Sequence, residues 1–113
     1  MLTVIEMGPF VRDADRIFTE DERAALISYL STHPFVGDEI PGGGGVRKMR
    51  FAIGNRGKSG GARVIYFVYN SEMPLVLLSC YGKNEQSNVS DAQLNEFAKL
   101  AAVLKAEFRG KSR

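Results

Sequence analysis

The chain has 113 residues, of which 44% are hydrophobic and 25% are charged, with a net charge of +2. This balance excludes an intrinsically disordered chain, and the length predicts a single domain over residues 1–113 with one apolar core. A single cysteine, Cys80, excludes an intramolecular disulfide. Together with the lack of a signal-peptide pattern, it is typical of a cytoplasmic protein. The longest apolar runs are too short to cross a membrane.

The charges are strongly segregated along the chain. Residues 1–45 carry eight acidic and three basic side chains, whereas residues 46–70 carry six basic side chains and no acidic one. The six are Arg47, Lys48, Arg50, Arg56, Lys58 and Arg63. Such a concentrated positive segment favours a polyanionic partner. A solvated basic edge that prevents strands from aggregating would have the same composition, so charge alone leaves both interpretations open.

The N-terminal part predicts one strand followed by two helices. Residues 2–7 are apolar and β-branched, which favours a strand. Residues 10–18 carry apolar side chains at helical spacing. Thr19 and Glu22 form the capping-box pattern Thr-x-x-Glu, which opens a second helix. That helix must end before Pro34, because the residue preceding a proline is pushed out of the α region.

The basic segment begins with a strand that follows a glycine-rich loop at 37–45. Residues 46–53 alternate, so that Met49 and Phe51 share one face of the strand while Lys48 and Arg50 share the other. Because the apolar set must face the core, the two cations are expected to project together from the opposite face.

The C-terminal half predicts a hairpin, a central strand and a helix. A basic hairpin tip at 54–62 leads into a strand at 63–70, and the near-continuous apolar run 74–81 is typical of a central strand. A second capping box, Ser90-x-x-Gln93, opens the last helix.

The predicted fold class is α+β, with a small antiparallel β-sheet, N-terminal helices and a C-terminal helix. The helices are expected to pack on one face of the sheet. The other face is then open and presents Lys48 and Arg50.

Several familiar chemistries do not fit the residues. Gly57-Lys58-Ser59 resembles the end of a nucleotide-binding P-loop, but Ala52 stands where that loop needs a glycine, and a strand follows instead of a helix. The only histidine, His33, is expected to cap a helix, and Cys80 to be a packed thiol. Residues 46–70 have no carboxylate pair for two-metal catalysis. We therefore expect no metal and no cofactor.

A sheet face of arginines and lysines with nearby tyrosines remains as the candidate site. Basic side chains can bind an RNA backbone and stabilise the charge that develops on a phosphate during transfer. The tyrosines that could stack on bases or fill the core are Tyr66, Tyr69 and Tyr81.

Three motifs give the chain a resemblance to the RelE/HigB toxins of bacterial type II toxin–antitoxin modules. They are GGVRKMR at 44–50, GKSGGARVIYFV at 57–68 and YGKNEQSNVS at 81–90. Among the subgroups, the chain looks most like the HigB type. The resemblance implies the microbial-ribonuclease type of α+β fold. It also implies a ribosome-dependent endoribonuclease that cleaves mRNA in the A site, without metal, by attack of the ribose 2′-hydroxyl.

The resemblance also implies roles for individual residues. Lys48 and Arg50 match the basic pair of the family's second strand, Arg63 matches the arginine that opens the next strand, and Lys83 lies in a matching Gly-Lys segment. These four are the expected catalytic residues. The expected RNA-binding residues are Arg47, Arg56, Lys58 and Tyr81.

Two positions depart from the best-studied branch of the family, which has an arginine at the position of Asn84 and a tyrosine at the position of Ser90.

The implied partners are mRNA, the ribosome and a helix-turn-helix antitoxin, whose complex with the toxin would bind operator DNA. Three alternatives stay open at this point. The chain could be a non-catalytic co-repressor bound to its antitoxin, a relative that inhibits DNA gyrase, or a plain RNA-binding domain.

Overall fold

The computed structural model describes residues 1–53, 61–82, 85, 86 and 88–111. It contains three helices and one sheet of five strands. The elements in chain order are β1 (Val4–Glu6), α1 (Gly8–Ile17), α2 (Glu20–Thr32), β2 (Asp38–Glu39), β3 (Val46–Phe51), β4 (Ala62–Phe67), β5 (Leu75–Gly82) and α3 (Asp91–Lys111). The predicted α+β class is confirmed. None of the helices within these residues is long and apolar enough to cross a membrane.

Helix α2 begins and ends where the sequence predicts, and helix α3 begins where it predicts. The Thr19 hydroxyl accepts a hydrogen bond from the Glu22 amide at 3.1 Å, and the Glu22 carboxylate accepts one from the Thr19 amide at 2.8 Å. Helix α2 ends at Thr32, with His33 as its C-terminal cap. The second capping box is present as well, because the Ser90 hydroxyl accepts a hydrogen bond from the Gln93 amide. Local sequence therefore determines these helix ends.

The sheet has the strand order β1-β5-β4-β3-β2. The pairs β2–β3, β3–β4 and β4–β5 are antiparallel, but β1 runs parallel to β5, so the sheet is mixed and not purely antiparallel as predicted. Strands β1 and β5 are far apart in the chain, which allows the parallel pairing, and α1 packs on β5. Strand β2 is an addition, since the sequence indicated only a loop there.

The core lies on both faces of the sheet, and this corrects the prediction that all helices share one face. Helices α1 and α2 cover one face through side chains such as Phe10, Leu26 and Leu30. Helix α3 covers part of the opposite face, where Ala101 and Phe108 pack. Strands β4 and β5 are apolar on both faces, so each face needs a covering layer.

The segment between α2 and β3 is held against the sheet by one close contact. The Gly37 amide donates to the buried Tyr66 hydroxyl at 2.8 Å. A Cβ atom on Gly37 would lie 2.7 Å from the Tyr66 hydroxyl and 2.8 Å from the Lys48 carbonyl oxygen. Only glycine allows this approach, which sets the position of β2 beside β3.

Replacing Gly37 with alanine should therefore destabilise the protein. We expect the free energy of unfolding to fall by about 1–3 kcal/mol, since the new methyl group overpacks the contact. Urea unfolding measures the change. Gly110→Ala is the matched control, because a Cβ there meets no atom within 4 Å and the helical position favours alanine. Equal stability of the two variants would contradict the packing argument.

Candidate functional site

Helix α3 covers only part of its face of the sheet. The uncovered part of that face carries a row of polar side chains on three neighbouring strands. Arg50 of β3 lies directly opposite Arg63 of β4, and Arg63 lies directly opposite Tyr81 of β5. Cβ atoms of such partners are about 4.5–5.5 Å apart. Lys48, two residues before Arg50, projects from the same face. Strand pairing thus brings together four residues that are up to 33 positions apart in the chain.

A β-bulge determines which residue of β5 joins this row. Ile65 pairs with Ser79, but its neighbour Tyr66 pairs with Leu77, so Leu78 is an extra residue in β5. An extra residue reverses the alternation of the strand beyond it. Cys80 consequently points into the core beneath α1, and Tyr81 points to the face that carries Arg63.

Lys48 has the acidic residue Asp38 of β2 directly opposite it, whereas Arg50 and Arg63 lie opposite each other. Among the described residues, every ion pair involves Arg12, Arg16, Arg23 or Arg47, and none involves Lys48, Arg50 or Arg63. Like charges placed directly opposite each other in a sheet are destabilising. The row is therefore an unbalanced positive site whose repulsion an anion would relieve.

Two polar atoms in the row are buried and have no partner among the described residues. Within the part of the chain that the structure describes, neither the Nη1 atom of Arg63 nor the Tyr81 hydroxyl has a hydrogen-bond partner. A buried polar group left unsatisfied costs about 1–3 kcal/mol. Burial raises the pKa of Tyr81, and the charge of Arg63 opposes this shift in part. The phenol is therefore protonated at neutral pH and can donate a hydrogen bond.

The chain matches a known protein family over the region that contains the row. Residues 39–111 match the model of the RelE toxin of the RelE/RelB toxin–antitoxin system, and the matched range contains the whole row. The match covers more than half of the chain. The chain belongs to the RelE toxin family. Toxins of this family pair with an antitoxin and are generally endoribonucleases that cleave mRNA.

The other expected site residues of this RelE-family chain lie elsewhere or are not described. Arg47 projects from the opposite face of β3, where its guanidinium donates to the carbonyl oxygens of Phe35 and Gly37, the latter at 2.6 Å. It also lies 5.3 Å from the centre of the Phe35 ring. Arg47 thus anchors the segment before β2 and does not join the row. The expected residues Arg56, Lys58 and Lys83, and also Asn84, lie outside the described residues.

The tyrosines of the sheet are mostly packing residues. The Tyr66 ring is fully buried beneath the N-terminal helices, and its hydroxyl accepts a hydrogen bond from the Gly37 amide. Only 5% of Tyr81 is exposed, so its ring packs in the core on the α3 side and offers no open face to a base. The contribution of Tyr81 to the row is therefore its hydroxyl group.

One supporting residue, Glu85, was missed by the sequence analysis. Its carboxylate accepts a hydrogen bond from the Gly82 amide at 2.7 Å, immediately after Tyr81, and forms an ion pair with Arg16 of α1. This contact holds the end of β5 at the row. Ser90 has a structural role as the cap of α3. No sequence pattern indicates Glu85, because the contact depends on where α1 lies.

His33 and Cys80 have the structural roles that the sequence predicts. The described residues contain no group of three or more His, Cys, Asp or Glu side chains that could hold a metal ion. His33 stacks on Tyr29 at the end of α2. Burial raises the pKa of the Cys80 thiol to about 12. Cys80 is therefore a packed thiol and not a nucleophile at neutral pH.

The thiol of Cys80 should resist alkylation in the folded protein. Because the thiolate is the reactive form, we expect iodoacetamide at pH 8 to modify Cys80 at least about 100-fold more slowly than a free thiol. Intact-mass spectrometry follows the reaction. The same protein in urea serves as the control and should react quickly. Fast alkylation of the folded protein would mean that β5 opens locally at the bulge.

Proposed function

We propose that this protein is a ribosome-dependent mRNA endoribonuclease of the HigB-like branch, which cuts mRNA in the A site and thereby inhibits translation. One observation carries the proposal: Lys48, Arg50 and Arg63 lie on one open sheet face, and none of them forms an ion pair among the described residues. An RNA phosphate is the ligand that such a site fits best. Family membership supports the assignment.

The proposed reaction is an internal transfer at one phosphate. The ribose 2′-oxygen loses its proton and attacks the adjacent phosphorus, while the bond from phosphorus to the 5′-oxygen of the next nucleotide breaks. The products are a 2′,3′-cyclic phosphate and a 5′-hydroxyl end. Negative charge builds up on the non-bridging phosphate oxygens as the new bond forms. Fixed positive charge at that place lowers the barrier.

The arginines are suited to different parts of this task. Arg63 lies at the centre of the row, and its Nη1 atom is already desolvated, so we assign it the stabilisation of the phosphate in the transition state. Arg50 is exposed at the edge of the row, and Gly61 leaves room beside its side chain. Arg50 and Lys48 are assigned the binding of the RNA backbone.

Tyr81 is assigned the positioning of Arg63. Its hydroxyl is buried next to the strand position of Arg63 and has no described partner, so it is available to hold the guanidinium when a phosphate is bound. Residues that keep an unsatisfied polar group in the core are often functional.

The residue types of the described row support the proposed dependence on the ribosome. Its three ionised groups are cations, and cationic side chains are poor general bases at neutral pH. The row can stabilise charge, but it is not equipped to remove the 2′ proton efficiently. Orientation of the mRNA within the A site would then supply a large part of the rate.

Cleavage of a defined mRNA on programmed 70S ribosomes tests the proposal. The wild type should cut within the A-site codon, and Arg63→Ala should lower the single-turnover rate by about 10²–10³-fold, as expected for the loss of a transition-state donor. Arg63→Lys should recover only part of this loss, because an ammonium group cannot replace the planar fork.

Lys99→Ala is the matched control, since Lys99 is an exposed cation on α3 outside the row. It should cleave at the wild-type rate. Intact mRNA after incubation with folded wild-type protein would refute the endoribonuclease assignment and favour the non-catalytic alternatives. Normal cleavage by Arg63→Ala would remove Arg63 from the site.

Tyr81→Phe separates the positioning role from a structural role. We expect cleavage to slow by about tenfold, comparable to the loss of one hydrogen bond to a charged group. The free energy of unfolding should stay the same or rise, because the variant removes a buried hydroxyl that has no described partner. Urea unfolding beside the ribosome assay gives both quantities. Loss of stability at an unchanged cleavage rate would show that the hydroxyl serves the fold instead.

A further inference from the structure

A cavity of about 420 Å³ lies beside the row, at the edge of β5 that faces away from β4. We call it the β5-edge cavity. It is lined by residues of α1, β5 and α3, together with Glu85 and Gln86 from the segment between β5 and α3. Strand β1 pairs only with residues 75–77, so no described strand covers this edge at residues 79–81. Binding sites for small molecules begin at about 300 Å³, so the cavity can hold a small planar group.

The cavity continues the row beyond Tyr81. Tyr81 lines the cavity, and on its other side it lies directly opposite Arg63 of β4. The order across the sheet is therefore Arg50, Arg63, Tyr81 and then the cavity. In a nucleotide, a single ribose joins the base to the phosphate. When a phosphate lies at Arg63, a base of the same or the next nucleotide can therefore enter the cavity.

The charge of the cavity differs from that of the row. Its two cations, Arg12 and Arg16, both pair with Asp13, and Arg16 also pairs with Glu85. Glu96 is a third carboxylate of the lining, and it forms no ion pair within the part of the chain that the structure describes. Three carboxylates thus outnumber two arginines. The cavity repels a phosphate group and favours an uncharged ligand that donates hydrogen bonds.

The side chain of Gln93 in the lining is held in one orientation. Its Oε1 atom accepts hydrogen bonds from the Ser90 amide at 3.0 Å and from Nε2 of Gln86 at 3.2 Å. Both bonds end on the same oxygen, so the NH₂ group of Gln93 is left to donate to a ligand. Glu96 follows Gln93 by three residues and therefore neighbours it on the surface of α3. The cavity thus offers one oriented donor beside one carboxylate.

Guanine is the base that matches this pair of groups. Its Watson–Crick edge presents the O6 acceptor, then the N1–H donor and then the 2-amino donor, so Gln93 can donate to O6 while Glu96 accepts from both donors. Adenine and cytosine each have a single amino group on this edge, beside a ring nitrogen that is an acceptor. Uracil has one N–H between two carbonyl oxygens, which a carboxylate repels. Pro9 and Phe97 also line the cavity and supply apolar surface for the base.

We propose that the β5-edge cavity binds a guanine base of the mRNA beside the phosphate that is cut. Glu96 accepts hydrogen bonds from N1 and the 2-amino group, and Gln93 donates one to O6. The proposal rests on the proposed function and deepens it, because it assigns a base preference to the same site. The cations of the row hold the RNA backbone, which carries no sequence information, and the cavity selects the base.

Binding to ribosomes that carry an uncleavable codon tests the preference. The A-site codon is made of 2′-deoxynucleotides, and at each position in turn guanine is compared with hypoxanthine, which lacks only the 2-amino group. Fluorescence anisotropy of the labelled toxin gives the dissociation constants. At one position the wild type should bind the guanine codon at least about tenfold more tightly, as expected for a hydrogen bond to a charged group. Glu96→Gln should reduce this ratio to about twofold or less, because the amide NH₂ group then faces a donor of the base.

Glu107→Gln is the matched control, since Glu107 is an exposed carboxylate about three turns further along α3. It removes the same charge from the same helix and should keep the wild-type ratio. Equal ratios in Glu96→Gln and the wild type, or the same loss of preference in Glu107→Gln, would overturn the proposal. Because Glu96 is exposed, both variants should unfold at the wild-type urea concentration.

Cleavage of the corresponding ribonucleotide codons keeps this proposal separate from the proposed function. A wild type that cuts mRNA but binds guanine and hypoxanthine codons equally would support the nuclease and overturn the base site. A wild type that does not cut, but whose guanine preference depends on Glu96, would refute the nuclease and support the base site.

Discussion

The pairing register of β3, β4 and β5 is the constraint on which the site depends. It places Arg50, Arg63 and Tyr81 side by side although they are distant in the chain. The bulge at Leu78 is essential to this arrangement. Without the extra residue, alternation along β5 would direct Cys80 toward the cations and Tyr81 into the core beneath α1. One additional residue therefore decides whether a thiol or a phenol lies next to Arg63.

The coverage of the sheet explains why the row exists at all. Strands β4 and β5 are apolar on both faces, so α3 is needed as a second layer. It packs on the end of the sheet that carries Val46 and Phe67 and leaves the other end open. At that open end, the chain accepts opposed cations and two buried polar atoms without described partners. Each of these features lowers stability, and together they favour the binding of an anion.

The sequence analysis correctly predicted features that depend on local interactions. It was wrong about features that depend on packing between elements that are distant in the chain. Capping boxes at Thr19 and Ser90 identified two helix starts, and alternation correctly put Lys48 and Arg50 on one face. The expectation that Arg63 is catalytic came from the family resemblance, because no local pattern distinguishes it. The side on which α3 packs, the short β2 and the bulge are set by contacts between distant elements. Single-sequence periodicity does not contain that information.

The adjacent residues Arg47 and Lys48 show why a count of charges overestimates a binding surface. Both belong to the basic segment, yet strand alternation sends their side chains to opposite faces. The guanidinium of Arg47 donates to the carbonyl oxygens of Phe35 and Gly37, and in this way it fixes the segment before β2. Lys48 projects from the same open face as Arg50, with Asp38 of β2 directly opposite. The same strand thus packs against the core with one set of side chains and carries the cationic row with the other. The position of each cation along the strand, and not the number of cations, decides which of them face the candidate site.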